Sequence, residues 1–421
     1  MKIALAILSF VMALLPLAAQ ETTVAGTTQT GKACPLSDTG RISPRKDGRF
    51  LSSRGTVQNM LSQVKPACAF NPSFTPAEFK EWQSRVRIAM KELMHYPEVT
   101  GQPAPVRVKT VRREGYRIEK WESYPLPGSV VPFLVLIPDG VDDIRKTPGI
   151  LCIPGFGGSK EGLAGENELD YELEASPVKP VKNNAMALHY VKKGMVAIAV
   201  DNVSCAELSD EGHFDYLNTS RILLEMGWSY LGLTSFQDLK ILDWMKEQPY
   251  IDRERIIVSG FSLGTEPLMV LGVLDPSIYA FVYNDFMCRT LERILVMTKP
   301  DGKTGRPFPN SIEHLIPGFL MQFDFPDLVA ALAPRPVICT EGGLDRDFHR
   351  IKRAYEIAGE PDRFTFYHYK KFADPHDRKQ IEHMPEGIDR DTFFELANVD
   401  PSNHYFKKEW VLPWIDKILG F

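Results

Sequence analysis

The stretch RIIVSGFSLG, residues 255–264, decides the fold of this chain. Its apolar first half predicts a buried β-strand, and its second half fits the pattern G-x-S-x-G, the tight strand-to-helix turn called a nucleophile elbow. Gly260 and Gly264 flank the serine where larger side chains would clash in so tight a turn. The pattern predicts Ser262 as a nucleophile exposed at the carboxyl edge of a sheet. The alternative for a bare pentapeptide is an ordinary turn with a buried serine.

Apolar strands alternate with helices on both sides of this turn. GILCIPG (149–155), MVAIAVDN (195–202) and RPVICTEGG (335–343) predict strands, whereas NAMALHYVKKG (184–194) and SFQDLKILDWMKEQ (235–248) predict helices. The alternation predicts an α/β fold with a mainly parallel twisted sheet and helices on both faces.

The segments outside this repeat have other patterns. Residues 105–137 contain segments that alternate polar and apolar side chains or are rich in β-branched residues, and they predict antiparallel strands before the parallel part. Residues 159–183, 205–233 and 289–325 do not fit the strand–helix repeat, and such insertions commonly form lids and substrate pockets. We therefore expect helical and loop insertions to form a cap over the elbow.

An elbow serine needs donors for the oxyanion that forms when it attacks a carbonyl group. The backbone N–H of Leu263, directly after the serine, is one expected donor. The loop PGFGG (154–158) follows an earlier strand, and we assign the second donor to the N–H of Phe156. The alternatives for this loop are a plain glycine-rich turn or a phosphate-binding loop, but the latter lacks G-x-x-x-x-G-K-[ST].

The orienting acid and the base follow the serine in the chain order Ser, acid, His. Asp345, in the loop after the late strand RPVICT, is the expected acid; Asp347 is the second choice and Asp285 a distant third. His404 stands just before a last amphipathic helix and is the expected base. His376, seven residues past the strand FTFYHY, remains the alternative.

Each of the other polar residues near these motifs has two possible interpretations. Glu266 either shapes the pocket or is a helix-start carboxylate favoured by the helix dipole. Arg289 and Arg293 either bind a carboxylate or sugar hydroxyls, or form ion pairs.

Composition excludes several classes of protein. The apolar fraction of 44% suits a packed globular chain, and the net charge of −5 argues against a nucleic-acid binder. Neither CxxC nor HExxH occurs, so we expect no metal and no cofactor. The six cysteines are compatible with disulfides after export, and Cys34 with Cys68, and Cys205 with Cys288, are possible pairs.

The chain begins with MKIALAILSFVMALLPLAAQ, in which Lys2 precedes an apolar stretch and small residues follow it. This is the pattern of a signal peptide, and the apolar run is short for a membrane span. We expect residues 1–19 to be a signal peptide, 20–74 an irregular arm and 75–421 the catalytic domain, in a secreted or periplasmic protein without stable membrane insertion.

With the elbow, the PGFGG loop, GGLD (342–345) and NHYF (403–406), the chain resembles the α/β-hydrolase superfamily. Residues 75–421 are similar to bacterial acetyl xylan esterases and dienelactone hydrolase-like esterases. The resemblance implies a serine esterase acting on small acyl esters, with acetylated plant-polysaccharide fragments as a typical substrate class. Dienelactone hydrolases proper use a cysteine where this chain has Ser262. A serine peptidase of the same fold and a non-catalytic binding protein are the competing hypotheses.

Overall fold

The computed structural model describes residues 43, 45–166, 184–210, 213–300 and 310–420. The predicted signal peptide, Cys34 and most of the first half of the arm lie outside the described residues. No helix within the described ranges is both long enough and apolar enough to cross a membrane.

The strands of the described chain form one nine-stranded sheet with the order β1-β2-β3-β5-β4-β6-β7-β8-β9. They are β1 Val106–Arg113, β2 Tyr116–Ser123, β3 Val131–Pro138, β4 Thr147–Ile153, β5 Val196–Val200, β6 Ile251–Phe261, β7 Ala280–Asn284, β8 Val337–Cys339 and β9 Phe364–Phe366.

Strands β1, β2 and β3 pair in antiparallel fashion, and β3 is also antiparallel to β5. All remaining pairs are parallel. The predicted α/β-hydrolase arrangement, with antiparallel strands first and a parallel sheet after them, is confirmed.

The helices cover both faces of the sheet. In the described residues they are α1 Ser53–Leu61, α2 Pro76–Met94, α3 Lys160–Ala164, α4 Met186–Lys192, α5 Tyr216–Glu225, α6 Tyr230–Glu247, α7 Thr265–Leu274, α8 Thr290–Val296, α9 Phe319–Gln322, α10 Phe325–Ala331, α11 Asp345–Ile357, α12 Arg390–Leu396 and α13 Lys408–Leu419. Short 3₁₀ turns include Ser262–Gly264, Ile312–His314, Pro375–Asp377 and Pro401–Asn403.

Alternate side chains of one strand enter two different cores. Along β3, Phe133 and Val135 join the larger apolar cluster, whereas Leu134 and Leu136 join the smaller one. Helices α2, α6, α7, α10 and α11 supply the larger cluster, and α3, α4 and α13 supply the smaller. Because both faces are covered, every residue of β3 is buried and the strand is apolar throughout.

The arm that the sequence predicts to be irregular contains a helix and a residue of the core. Within the arm, Ser53–Leu61 form α1, and Cys68 is part of the larger core. The described cysteines are free thiols, so the suggested pairing of Cys205 with Cys288 is wrong, and Cys68 forms no disulfide. Cys205 is buried near the glycine-rich loop at 154–158, and burial raises the pKa of its thiol to about 11.

Candidate active site

The carboxyl ends of three neighbouring parallel strands bring three polar residues together. Ser262 directly follows β6, Asp285 directly follows β7, and Glu341 stands two positions beyond β8. The register pairs Phe261 with Asn284 across β6 and β7, so their successors lie at the same level of the sheet edge. Parallel strands place their carboxyl ends at one edge, which is where open α/β sheets hold their sites.

The turn at Ser262 has the geometry that the sequence pattern predicts. Ser262 has a φ of 51°, in the left-handed region that non-glycine residues seldom occupy. A Cβ added at Gly260 would lie 2.3 Å from the carbonyl oxygen of Gly264, and one at Gly264 would lie 2.4 Å from that of Ile153. Both positions therefore require glycine, and the strained backbone is fixed by the close approach of β6, α7 and the end of β4.

The glycine-rich loop after β4 contacts the elbow. A Cβ added at Gly155 would lie 3.1 Å from Cβ of Ser262, so the loop backbone passes directly beside the serine. The buried Asn202 side chain donates hydrogen bonds of 2.9 and 3.2 Å to the carbonyl oxygens of Pro154 and Gly155. Phe156 is the next residue, and its half-exposed ring packs against other aromatic rings, away from the core.

A buried ion cluster stands at the far end of the same loop. Lys160 is fully buried, and its ammonium group lies 2.8 Å from Asp201, 2.9 Å from Glu161 and 2.7 Å from Glu207. The backbone N–H of Lys160 is also donated to Asp201, at 2.7 Å. These contacts anchor the loop that carries Phe156 to the end of β5.

His404 is held at the same sheet edge by a carboxylate. Nδ1 of its imidazole is hydrogen-bonded to Oε2 of Glu341, and its ring stacks on that of Phe261 with centroids 4.6 Å apart. A carboxylate accepts only, so Nδ1 carries the proton and Nε2 is left as the basic nitrogen. Asn284 fixes the histidine loop, because it donates to the carbonyl of Tyr405 and accepts from the N–H of Lys407.

The carboxylate of Glu341 is saturated with donors. Besides His404, it accepts from Tyr369 Oη at 3.1 Å and the Tyr405 N–H at 3.0 Å, and Lys407 Nζ lies 3.0 Å away. Among the described residues, one group that could hold a metal ion is Asp285, Glu341 and His404, with ligand atoms within 4.8 Å of one another. A carboxylate has about four acceptor positions, and these four contacts use them, which leaves Glu341 poorly suited to a cation.

Asp285 is a second carboxylate beside the imidazole. Burial raises its pKa to about 7, although the charge of His404 acts in the opposite direction. For His404, burial lowers the pKa, but the hydrogen bond to Glu341 and the charge of Asp285 outweigh it, so the pKa of the imidazole is raised above 6.5. The pair therefore favours a protonated imidazolium more strongly than solvent does.

The expected pairing of His404 with Asp345 is not what the structure contains. Asp345 opens α11, one turn beyond the sheet edge, and its carboxylate lies 2.8 Å from Arg378, 2.9 Å from Gln380 and 2.9 Å from His368. Glu341 occupies the position beside the imidazole instead. The signal that could have identified it is its place directly after the apolar strand, before the two glycines that turn the chain away.

The two alternative residues also lie elsewhere. Asp347 is buried and is bound by Arg289 at 2.6 Å. His376 is exposed on a 3₁₀ turn, and its backbone N–H is donated to the side chain of Asp374. Neither residue lines the cavity that Ser262 and His404 share.

That cavity has a volume of about 310 Å³, at the small end of ligand sites. The insertion at 289–325 forms one wall, with Thr290, Arg293, Asn310 and His314, as expected for a cap. The segment 377–403 forms another wall, with Phe394 as its largest apolar side chain. Glu266, four residues beyond the serine, also lines the cavity, and its Oε1 lies 2.8 Å from Nδ1 of His314.

Comparisons with known proteins identify relatives of this chain. A crystal structure from Bacteroides fragilis NCTC 9343, of a protein named "putative acetyl xylan esterase", is 55% identical and covers 90% of this chain and 98% of its own, with a TM-score of 0.84. A methylesterase is 19% identical (76% of this chain, 63% of its own, TM-score 0.49). A glucuronoyl esterase from Solibacter usitatus is 15% identical (71% and 87%, TM-score 0.46). Likenesses this distant say nothing about substrate.

No curated protein matches the chain. The model of the Abhydrolase family matches residues 39–417, which is most of the sequence and includes the elbow, the glycine-rich loop, Glu341 and His404. The chain belongs to the Abhydrolase family.

Proposed function

We propose that this protein is a serine esterase that hydrolyses small acyl esters, acetyl esters first among them, carried by plant-polysaccharide or oligosaccharide fragments. Ser262 is the nucleophile, His404 the general base and Glu341 the acid that orients it. The observation that carries the proposal is the hydrogen bond between His404 and Glu341 at the edge where the strained Ser262 faces the same cavity. The 55% identical relative supports the carbohydrate part.

The chemistry follows from the tautomer. Nδ1–H of His404 is donated to Glu341, so Nε2 accepts the proton of Ser262 as its oxygen attacks the carbonyl carbon. The imidazolium then gives this proton to the departing alcohol, and an acyl-serine remains. Water, deprotonated by the same Nε2, attacks the acyl-serine; the C–Oγ bond breaks, the acid is released and the imidazolium returns its proton to Oγ of Ser262. Glu341 stabilises the imidazolium in both halves of the cycle.

The oxyanion donors in this proposal are the N–H groups of Leu263 and Phe156. Leu263 belongs to the first turn after the serine, where backbone N–H groups have no partner within the helix. Helix α7 has no side-chain cap at its N-terminus, which suits a substrate oxyanion there. Phe156 follows Gly155, whose backbone passes beside Ser262. Losing one such donor typically lowers the rate by roughly 10²–10³-fold.

The experiment compares ester and peptide substrates. Wild-type protein is expected to hydrolyse p-nitrophenyl acetate and to release acetate from acetylated xylan, with both activities lost in Ser262→Ala. Cleavage of peptide substrates at a higher kcat/KM would favour the peptidase hypothesis. No hydrolysis of any of these substrates would favour a binding protein of the same fold.

We also propose that the enzyme is exported and loses residues 1–19. The support is the sequence pattern of the first 20 residues alone. N-terminal sequencing of protein recovered from the periplasm or medium of an expressing bacterium tests it. A mature N-terminus near residue 20 is the expected result, whereas cytoplasmic protein beginning at Met1 would contradict the proposal.

A further inference from the structure

Several buried polar atoms that have no hydrogen-bond partner belong to side chains that line the Ser262 cavity. Within the described residues they include Glu266 Oε2, Thr290 Oγ1, Arg293 Nε and Asn310 Oδ1, and all four residues line the cavity. Folded proteins pair nearly all such groups, so each exception requires an explanation. Four exceptions around one cavity are explained together if a polar ligand completes them.

Glu266 defines what kind of group must bind. One oxygen of its carboxylate is paired with Nδ1 of His314 at 2.8 Å, and the other is enclosed without a donor. An ionised carboxylate can only accept hydrogen bonds, so the missing partner is a donor. Glu266 lies four residues beyond Ser262 and lines the same cavity, so one ligand in this cavity can contact both residues.

The other three residues supply both kinds of hydrogen-bonding group. Arg293 donates, the Asn310 oxygen accepts, and the Thr290 hydroxyl does either. Hydroxyl groups match such a mixed set because each one donates and accepts. Neither an acetyl group nor an ionised carboxylate has a hydrogen-bond donor for Glu266. The set therefore fits a neutral compound with several hydroxyl groups.

Aromatic side chains also line the cavity. Phe286, Phe325 and Phe394 line the same cavity, and Phe286 packs edge-on against Phe394 with centroids 5.3 Å apart. A sugar ring has apolar C–H faces between its hydroxyl groups, so polar atoms and phenylalanine rings around one cavity suit its two kinds of surface.

We propose that Glu266, Thr290, Arg293 and Asn310 form a subsite that binds the alcohol part of the ester as a neutral sugar ring, through its hydroxyl groups. The catalytic role of this subsite rests on the proposed esterase function of Ser262. Binding of the sugar itself needs no ester and no reaction, so it can be tested separately.

The experiment measures binding of unesterified xylotriose to the wild-type protein by titration calorimetry. Saturable binding is expected. Glu266→Gln should weaken it by roughly 10-fold, because a hydrogen bond to a charged group is lost. Glu313→Gln is the matched control. Glu313 is buried, and its Oε1 lies 3.8 Å from Nε2 of His314, but the residue does not line the cavity. The Kd of this variant for xylotriose should therefore stay within about twofold of the wild-type value.

Thr290→Val provides a second variant with a distinctive signature. Its hydroxyl has no partner in the free protein, so the isosteric valine should leave the Tm unchanged or raise it, while xylotriose binding weakens. A hydroxyl with a purely structural role would instead lower the Tm and leave the Kd unchanged.

Three results would overturn the subsite. They are no binding of xylotriose to wild-type protein, equal binding by wild type, Glu266→Gln and Thr290→Val, or tighter binding of a uronic-acid-bearing saccharide than of the neutral one. If saccharide binding behaves as expected but acetylated saccharides are not hydrolysed, the subsite stands and the proposed function fails.

Discussion

Nδ1 of His404 is hydrogen-bonded to Oε2 of Glu341, a residue that stands two positions beyond the end of β8. The same carboxylate is held by Tyr369, Lys407 and the backbone of Tyr405, so its position is fixed from three directions. An acid fixed in this way determines which nitrogen of the imidazole carries the proton, and therefore which nitrogen can act as the base.

Glu341→Gln should lower kcat for p-nitrophenyl acetate by roughly 10²–10⁴-fold, because the amide can hold the wrong imidazole tautomer and cannot stabilise the imidazolium. Steady-state kinetics at pH 8 measure the change, with circular dichroism to confirm folding.

Asp345→Asn is the matched control for that variant. Its carboxylate binds Arg378 and Gln380 outside the cavity, so kcat should stay within about threefold of wild type. The free energy of unfolding should fall by about 1–3 kcal/mol, since a buried charged partner is lost. A larger loss of kcat in Asp345→Asn than in Glu341→Gln would restore Asp345 as the acid.

Most of the candidate site can be predicted from the sequence, because the ends of the strands and the glycines of the elbow can be recognised there. The elbow requires Gly260 and Gly264 for steric reasons that hold for any chain in that turn. His404 is marked by its place before the last helix. The parallel part of the sheet follows from apolar strands that are buried on both faces, as β4 and β5 are.

Which carboxylate pairs with His404 depends on contacts between residues that are distant in the sequence, and no sequence pattern shows them. Thr340 and Glu341 follow a strand of only three residues, and Gly342 and Gly343, both with positive φ, turn the chain into α11. Asp345 therefore lies inside the first turn of the helix. Its partner Arg378 is 33 residues further along the chain, and no local pattern predicts that contact.

The pH dependence of kcat/KM should show a rise with a midpoint above 6.5. Only neutral His404 can accept the serine proton, and its hydrogen bond with Glu341 and the charge of Asp285 raise its pKa despite burial. Activity is therefore lost as the pH falls through this raised pKa, and is retained at higher pH. A profile measured from pH 5 to 9 with midpoint below 6.5 would contradict the assignment of these two carboxylates.

Asp285→Asn should move that midpoint to lower pH, because one negative charge that raises the pKa of His404 is removed. At pH 8 the rate should fall less than about 10-fold, since Glu341 still holds Nδ1. The shift distinguishes the two carboxylates: Asp285 acts through charge, and Glu341 through charge and orientation. An unchanged midpoint, or a loss as large as that of Glu341→Gln, would show that this division of roles is wrong.

Lys160→Met should lower the free energy of unfolding by about 3–5 kcal/mol, because Asp201 and Glu161 are left buried without their cation. Urea denaturation followed by fluorescence measures it. Lys193→Met is the control: Lys193 pairs with Asp416 at a partly exposed site, where an ion pair contributes about 1 kcal/mol or less. Equal losses in the two variants would argue against the anchoring role of the Lys160 cluster.

Detection of an acyl-serine would test directly whether Ser262 is the nucleophile. Wild-type protein would be mixed with an acetyl ester, quenched in acid during turnover, digested and examined by mass spectrometry. The expected result is an acetyl group on the peptide that contains Ser262, and neither adduct nor turnover in Ser262→Ala. Turnover with no adduct on that peptide, together with retained activity in Ser262→Ala, would contradict it.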